Sequence, residues 1–273
     1  MNFQYLSLRF IRHLLPEQWA VYFKYHRLFI RPGLETVDPA KAVEQYRQAL
    51  SQFGIDLTNK KVMVFGYGGN ITIGCELIVA GAEKVFLVEQ KGFTSNLNLS
   101  QISLGYPSCF SHQSGKAIPN PQKIVVFHDS LNSISSQSAF EKVDLVLSSS
   151  VFEHLREPLE IASQLAEMTG PRGGQLHFID LRDHYFKYPF EMLCYSDRAW
   201  NDWLNPGSHL NRLRIRDYRN IFIQFFNQVE IIADERDMEK FNLTRNRIRP
   251  EFLSGNELED CTTRMHVFCS NPR

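Results

Sequence analysis

The stretch Lys61-Val-Met-Val-Phe-Gly-Tyr-Gly-Gly-Asn70 constrains this 273-residue chain more than any other. Val62 to Phe65 is a continuous apolar run, the pattern of a parallel strand buried on both faces. It breaks at once into Gly66-Tyr67-Gly68-Gly69. Ile73, Leu77 and Ile78 then recur at helical spacing, and Gly81 stands where a helix stop belongs. A second apolar run, Val85 to Val88, ends in Glu89. The order is strand, glycine turn, helix, strand, acid. A glycine turn lets a ligand approach the backbone, and a helix start offers N–H groups. An acid about twenty residues on, at the tip of the next strand, can accept both hydroxyls of a ribose. A nucleoside-containing cofactor is expected, held around Gly66, Tyr67, Gly68, Asn70 and Glu89.

What is missing narrows the cofactor. A dinucleotide fingerprint needs a third glycine three residues after Gly68, and that residue is Ile71. No Gly-Lys-Ser/Thr follows, so a triphosphate loop is excluded.

Lysine plus arginine equals aspartate plus glutamate, at 30 each. That balance argues against a dedicated nucleic-acid binder, which carries a basic excess. Cys75, Cys109, Cys194, Cys261 and Cys269 are scattered, with no Cys-x-x-Cys and no Cys/His cluster. No metal site is expected from them, and the odd count fits a reduced, cytoplasmic chain. Met1 to Arg31 is aromatic and apolar but is interrupted by Arg9, Arg12, His13, Lys24, His26 and Arg27. It lacks the apolar core of a signal peptide, and no transmembrane span appears. Two readings remain for it: a helical lid on the domain, which is preferred, or an amphipathic helix in peripheral contact with a membrane or a lipid-like substrate.

The chain divides into an N-terminal helical extension or lid, 1–54, and a domain at 55–273. Asp38-Pro39 opens a helix with Ala42, Val43, Tyr46 and Leu50 on one face. Beyond Glu89 come a helix around Ser95 to Leu104, a polar loop from Ser108 to Gln122, and a third strand, Ile124 to Phe127, closing on His128-Asp129. A serine-rich connector and a short helix over Gln137 to Glu141 lead to a fourth strand, Val143 to Leu147, opening onto Ser148-Ser149-Ser150. Glu157 to Met168 reads as a helix, and Gly170 to Gly174 as a tight turn into a fifth strand, Gln175 to Ile179. The alternation predicts a doubly wound, mostly parallel sheet with helices on both faces. Ligands then belong at the carboxyl ends of the strands, where Glu89, Asp129, Ser148 and Asp180 fall. The aromatic and basic segment 183–216 interrupts the alternation at that edge. A helix from Asp217, a sixth strand from Val229 to Ala233 and a last strand from Arg264 to Ser270 follow. Asp234 to Lys240 reads as a solvated loop.

Five alternating strands, a helix and two closing strands resemble the class I S-adenosylmethionine-dependent methyltransferases, a Rossmann-like fold with a seven-stranded sheet. Val62-Met-Val-Phe-Gly-Tyr-Gly-Gly69 stands where that family's cofactor motif belongs, Glu89 at its ribose acid, and His128-Asp129 at its adenine site. Asp144-Leu-Val-Leu-Ser-Ser-Ser-Val-Phe-Glu-His-Leu155 resembles the fourth-strand motif of its small-molecule branch, and Arg212-Leu-Arg and Asp217-Tyr resemble a bacterial subgroup often found with sugar and envelope biosynthesis. The resemblance implies S-adenosyl-L-methionine at Gly66, Tyr67, Gly68, Asn70, Glu89, Asp129, Ser148 and Ser149. Two departures stand out. Val64 replaces an acid common two residues before the first glycine, and Asn70 replaces a third glycine. Gly74, one helical turn on, offers another route to close helix packing. The Asn/Asp-Pro-Pro-Tyr/Phe motif of nitrogen methylation is absent.

The implied reaction is methyl transfer to a small-molecule acceptor, oxygen rather than nitrogen, with a sugar or envelope-related metabolite as the first expectation. Oxygen acceptors need a proton removed, so His184 and His154 are the candidate bases. Related sites bind a divalent metal with a more acidic version of the Glu-His motif, but Ser150 stands at an expected acid, so no metal is expected. Asp183, Tyr195, Arg212 and Arg214 are the candidate acceptor-binding residues, since aromatics with arginine suit sugars and anionic metabolites. The alternatives are a non-catalytic cofactor-binding or scaffold protein of the same fold, or an NAD-dependent sugar-modifying enzyme.

Overall fold

The structure, a computed structural model, describes residues 3–14, 33–89, 98–183, 187–205 and 209–273. Its strands are β1 (Lys61–Phe65), β2 (Lys84–Val88), β3 (Phe110–Gln113), β4 (Lys116–Pro119), β5 (Ile124–Phe127), β6 (Val143–Ser149), β7 (Thr169–Asp180), β8 (Phe226–Arg236) and β9 (Thr262–Pro272). Seven of them form one sheet in the order β5-β2-β1-β6-β7-β9-β8. β5, β2, β1, β6 and β7 pair in parallel, and β9 runs antiparallel to both β7 and β8. The expected doubly wound, mostly parallel seven-stranded architecture is therefore present. The link from β8 to β9, residues 237–261, contains the helices Met238–Thr244 and Glu257–Asp260 and is long enough for a crossover, so its length does not dictate the reversal of β9.

The apolar run in β1 serves both faces. Val62 and Val64 join a core shared with Ile73, Cys75 and Leu77 of the helix Thr72–Val79 and with Ala42, Val43, Tyr46 and Leu50 of the helix Pro39–Ser51. Met63 and Phe65 point the other way, into a core with Ala162 and Leu165 of the helix Pro158–Met168 and Tyr218 and Phe222 of the helix Ile215–Phe222. The helix Pro39–Ser51, placed by sequence in an extension, thus covers the sheet beside Thr72–Val79. It opens where Asp38 accepts from Lys41 N at 3.1 Å. A third cluster, with Phe190, Trp200, Leu210, Phe241 and Ile248, forms the core of the 183–216 segment and its neighbours. Among the described residues no helix is long and apolar enough to cross a membrane.

Local departures from the expected elements have identifiable causes. The polar loop 108–122 contains the hairpin β3–β4, turned by Ser114 (φ 51°) and Gly115 (φ 76°). The short helix before β6 is Leu131–Ser135 rather than 137–141: Ser130 caps Ser133 N, and Leu131 and Ile134 are buried one turn apart. Glycines 170–174 do not turn before the strand. The register runs from Val143↔Thr169 to Leu145↔Gly174, so the extra residues bulge out of β7. A Cβ at Gly173 would lie 2.9 Å from the Asp144 carbonyl oxygen, which explains the small residue there. β8 and a helix, Met238–Thr244, take up most of the expected solvated loop 234–240. The expected helix around 95–104 is Leu99–Gly105, and residues 90–97 lie outside the described residues.

β6 and β7 also carry a buried polar chain. Ser148 Oγ donates to His177 Nδ1 at 2.8 Å, and His177 Nε2 donates to Gln175 Oε1 at 2.9 Å. Gln175 Nε2 donates to Thr169 Oγ1 at 2.8 Å, which donates to the Leu165 carbonyl at 2.7 Å. Every member is satisfied, and burial holds the His177 pKa down to about 3, so the ring is neutral. Ser148→Ala would leave Nδ1 without its donor, at a cost of about 1–3 kcal/mol. Urea denaturation at neutral pH should show that loss with an unchanged slope; an unaltered midpoint would mean that water replaces the hydroxyl.

Candidate functional site

The glycine turn sits at the carboxyl tip of β1. Gly66 N donates to the Val88 carbonyl at 2.8 Å, which ties the turn to the tip of β2. Gly66, Gly68 and Gly69 have φ of 80°, 67° and 80°, a region a side chain disfavours. A Cβ on Gly66 would overlap Val151 Cγ2, and one on Gly68 would overlap Thr36 Oγ1. Glu89 follows β2 directly, and its carboxylate accepts from Gly68 N at 3.2 Å. The sheet thus brings together the two features that the sequence separates by twenty residues.

Asn70 does two things. Its Oδ1 accepts from Thr72 N at 3.1 Å, and its Nδ2 donates to the Thr36 carbonyl at 2.9 Å. Ile73 N and Gly74 N donate to the carbonyls of Asn70 and Ile71 at 3.2 and 3.0 Å. The first N–H groups of this helix are therefore used within the chain, which weighs against a pyrophosphate cradle. Gly74 allows the close helix packing: a Cβ there would be 3.2 Å from Leu87 Cδ1 and 3.3 Å from Ile124 Cδ1. The Tyr67 side chain is buried in the core, its pKa pushed up to about 12 by burial and then by Glu89. Only its backbone remains at the turn.

The short helix Leu34–Val37 lies over this turn and was not legible as part of it. Thr36 Oγ1 donates to the Gly68 carbonyl at 3.4 Å. Beside it, Glu35 is buried near Ser149 and accepts from Tyr46 Oη at 2.6 Å. Burial raises its pKa above the usual carboxylate range. Val64 is fully buried between Leu87 and Leu147. Thr36 and Asn70 tie the loop to the Leu34–Val37 helix from outside the sheet.

At the tip of β6, Ser150 adopts φ 55° and turns the chain into the Phe152–His154 turn. Glu153 is 3% exposed. Its Oε1 accepts from Asp180 N at 3.4 Å, and its Oε2 has no partner among the described residues. Burial, then the charges of Asp180 and Glu35, push its pKa up to about 8. The Glu-His motif was the signal for this residue, but only packing reveals a protonated carboxyl. His154 is half-buried on the same turn. Asp129, past β5, is exposed and accepts from Gln137 Nε2 at 2.9 Å.

Several expected residues lie elsewhere. Ser148 is not at a ligand edge but in the buried chain with His177. Asp183 is buried and accepts from Tyr5 and Arg9 of the N-terminal helix Phe3–Leu14, so it anchors that helix. Arg212 is buried against the carbonyls of Met192 and Tyr195, at 3.0 and 2.7 Å, and pairs with Asp197. Arg214 donates to the carbonyls of Leu181, Asp260 and Thr262 at 3.0, 3.0 and 2.7 Å. Both arginines give guanidinium donors to backbone carbonyls, while Arg214 Nε is buried with no partner among the described residues. Tyr195 is half-buried, stacked on Tyr5 with centroids 5.9 Å apart. His184 lies outside the described residues. Among the described residues no group of three or more His, Cys, Asp or Glu could hold a metal.

No protein-family model matches the chain, and no curated protein matches it. Solved structures similar to it include a candidate S-adenosylmethionine-dependent methyltransferase from Listeria monocytogenes, with 13% identity, TM-score 0.45, and 83% of this chain and 97% of that one covered. Another is an S-adenosylmethionine-dependent methyltransferase from Mesorhizobium loti, at 13% identity and TM-score 0.42, covering 83% and 96% of the two chains. The CurJ carbon methyltransferase has 8% identity and TM-score 0.47, with 86% and 54% covered. Likenesses this distant say nothing of activity, which has to come from the chain's own residues.

The Glu153 carboxyl gives a pH signature. Its folded pKa of about 8 lies above the unfolded carboxylate value, so the folded state binds the extra proton between them. Its stabilising contribution is complete below the unfolded pKa and is lost as pH rises through about 8. Glu153→Gln should match the wild type near pH 4.5 and exceed its stability by about 1–3 kcal/mol at pH 8. Chemical denaturation across that range tests this; parallel curves would place the ionisation elsewhere.

Proposed function

We propose that this chain is a class I S-adenosylmethionine-dependent methyltransferase acting on a small-molecule acceptor through oxygen, with sugars and envelope-related metabolites as the first class to test. The observation that carries the reading is the Gly68–Glu89 contact across the tips of β1 and β2, in a sheet whose penultimate position is taken by a reversed strand. A wholly parallel dinucleotide-binding sheet lacks that strand. Ile71 and the internally used N–H groups at the helix start also weigh against NAD.

The residues fit the cofactor in kind. Gly68, exposed and at positive φ, offers backbone with no side chain of its own, and Glu89 offers a carboxylate to two vicinal hydroxyls. Asp129 is assigned to the adenine amino group. Ser149 and Glu35 are assigned to the amino-acid end, Glu35 standing in for the acid replaced by Val64. Bound S-adenosylmethionine would supply an electrophilic methyl group on a sulfonium. The chain's own task is to align the acceptor, exclude water and take up the hydroxyl proton. His154 and His184 are the candidates for that proton; Glu153, its pKa pushed up to about 8, already carries one at neutral pH. A cytoplasmic location belongs to the same reading.

Calorimetric titration with S-adenosylmethionine and its demethylated product, beside Glu89→Ala, is the test. Removing a charge-assisted contact to the ribose should weaken binding by about tenfold or more. Failure of the folded wild type to bind, or binding of NAD in its place, would overturn the proposal. Cofactor binding without transfer to any of a broad acceptor panel would leave a non-catalytic member of the fold.

A further inference from the structure

The N-terminal helix Phe3–Leu14 buries polar side chains and exposes aromatic ones. Tyr5 and Arg9 face inward and meet the Asp183 carboxylate. Arg9 also donates to the Leu204 carbonyl at 3.1 Å and lies over the Trp200 ring, 4.7 Å from its centroid. Outward, Phe3 is 74% exposed and Phe10 is 43% exposed. Seven residues apart, they share one face and are separated by about 10 Å along the axis. Trp203, 55% exposed, stands on the π-helical turn Trp200–Leu204 with its ring 5.5 Å from that of His13. The three aromatics belong to one packed pair of helical elements. Val79, Leu104, Leu243 and Leu258 are exposed singly on other elements and need no explanation.

The exposure is enforced. Rolling the helix to hide Phe3 and Phe10 would withdraw Arg9 and Tyr5 from Asp183, leaving buried charges without partners. That cost exceeds what burying the two exposed rings would recover. The aromatic face therefore stays outward whether or not a partner is present.

Charge selects the partner. The whole chain has zero formal charge, yet Met1 to Arg31 holds Arg12, Lys24, Arg27 and Arg31, apart from the buried and paired Arg9, against the single acid Glu17. Exposed Lys187 lies 3.4 Å from Gln4 of the helix. The acids beside Trp203 are already paired, Asp202 with Arg198 at 3.7 Å and Asp197 with Arg212. Aromatic rings suit the boundary between headgroups and acyl chains, and flanking cations suit anionic headgroups. We propose that the face formed by Phe3, Phe10 and Trp203 docks on the surface of an anionic lipid bilayer, with the helix lying in the plane of the interface. The contact is peripheral and reversible. It rests on no assumption about the cofactor site.

The test is flotation of the full chain with two sets of vesicles, pure phosphatidylcholine and phosphatidylcholine with phosphatidylglycerol. The wild type should float with the anionic vesicles and release in high salt. A Phe3→Ser/Phe10→Ser/Trp203→Ser variant should bind them about tenfold more weakly or worse. All three side chains are exposed, so the variant should keep the wild-type melting curve, which serves as the folding control. Failure of the wild type to bind anionic vesicles would overturn the proposal, as would equal binding by the folded variant. A wild-type dimer in solution that the variant converts to monomer would overturn it too, by giving the face to a second copy.

Discussion

β1 is hydrogen-bonded on both edges and buried on both faces, and the rest of the molecule depends on that confinement. Its neighbours β2 and β6 satisfy its backbone, and its side chains divide between two separate cores. A chain leaving such a strand has no room for a gradual turn. It must reverse over the sheet edge within two or three residues, and Val151 from the adjacent β6 tip already occupies the space a side chain would need at Gly66. The glycines are thus a consequence of the buried strand as much as a preparation for a ligand. The bare backbone surface at the carboxyl edge arises from the same packing.

The N-terminal residues complete what β1 begins. Helix Pro39–Ser51 covers one face of the sheet, and the Leu34–Val37 turn ahead of it reaches the glycine loop. The valine at position 64 is buried in the sheet, and Thr36 and Asn70 hold the loop from outside it. Glu35 arrives with them, beside Ser149 and within electrostatic reach of Glu153. Burial raises the pKa of both Glu35 and Glu153, and the charges of Asp180 and Glu35 add to the shift at Glu153.

The 183–216 segment shows how arginine and aspartate can resemble a binding site while holding a fold together. Irregular backbone leaves carbonyls unpaired, and a buried guanidinium can satisfy several at once. Arg212 and Arg214 do this for the segment and for the ends of the strands beneath it. Asp183 does the converse, fixing the N-terminal helix through Arg9 and Tyr5.

The succession of the seven sheet strands along the chain, the glycine turn, the acid after β2 and the two-sided burial could be read from the sequence because they are periodic or local. An apolar run with a glycine break permits few structures, and a helix after each strand dictates a parallel sheet. The swap of helix 137–141 for 131–135 and the bulge in β7 escaped because short elements are set by which residues happen to pack. Residue types could not tell Ser148, Asp183, Arg212 and Arg214 from ligand-binding groups, since the same donors and acceptors serve either purpose. What they touch was decided by the tertiary structure, where burial brought His177, Arg9 and backbone carbonyls within hydrogen-bonding reach. Glu35 and Thr36 carry no local signal at all. Their place at the glycine loop exists only because a helix packs on a sheet that begins more than twenty residues later.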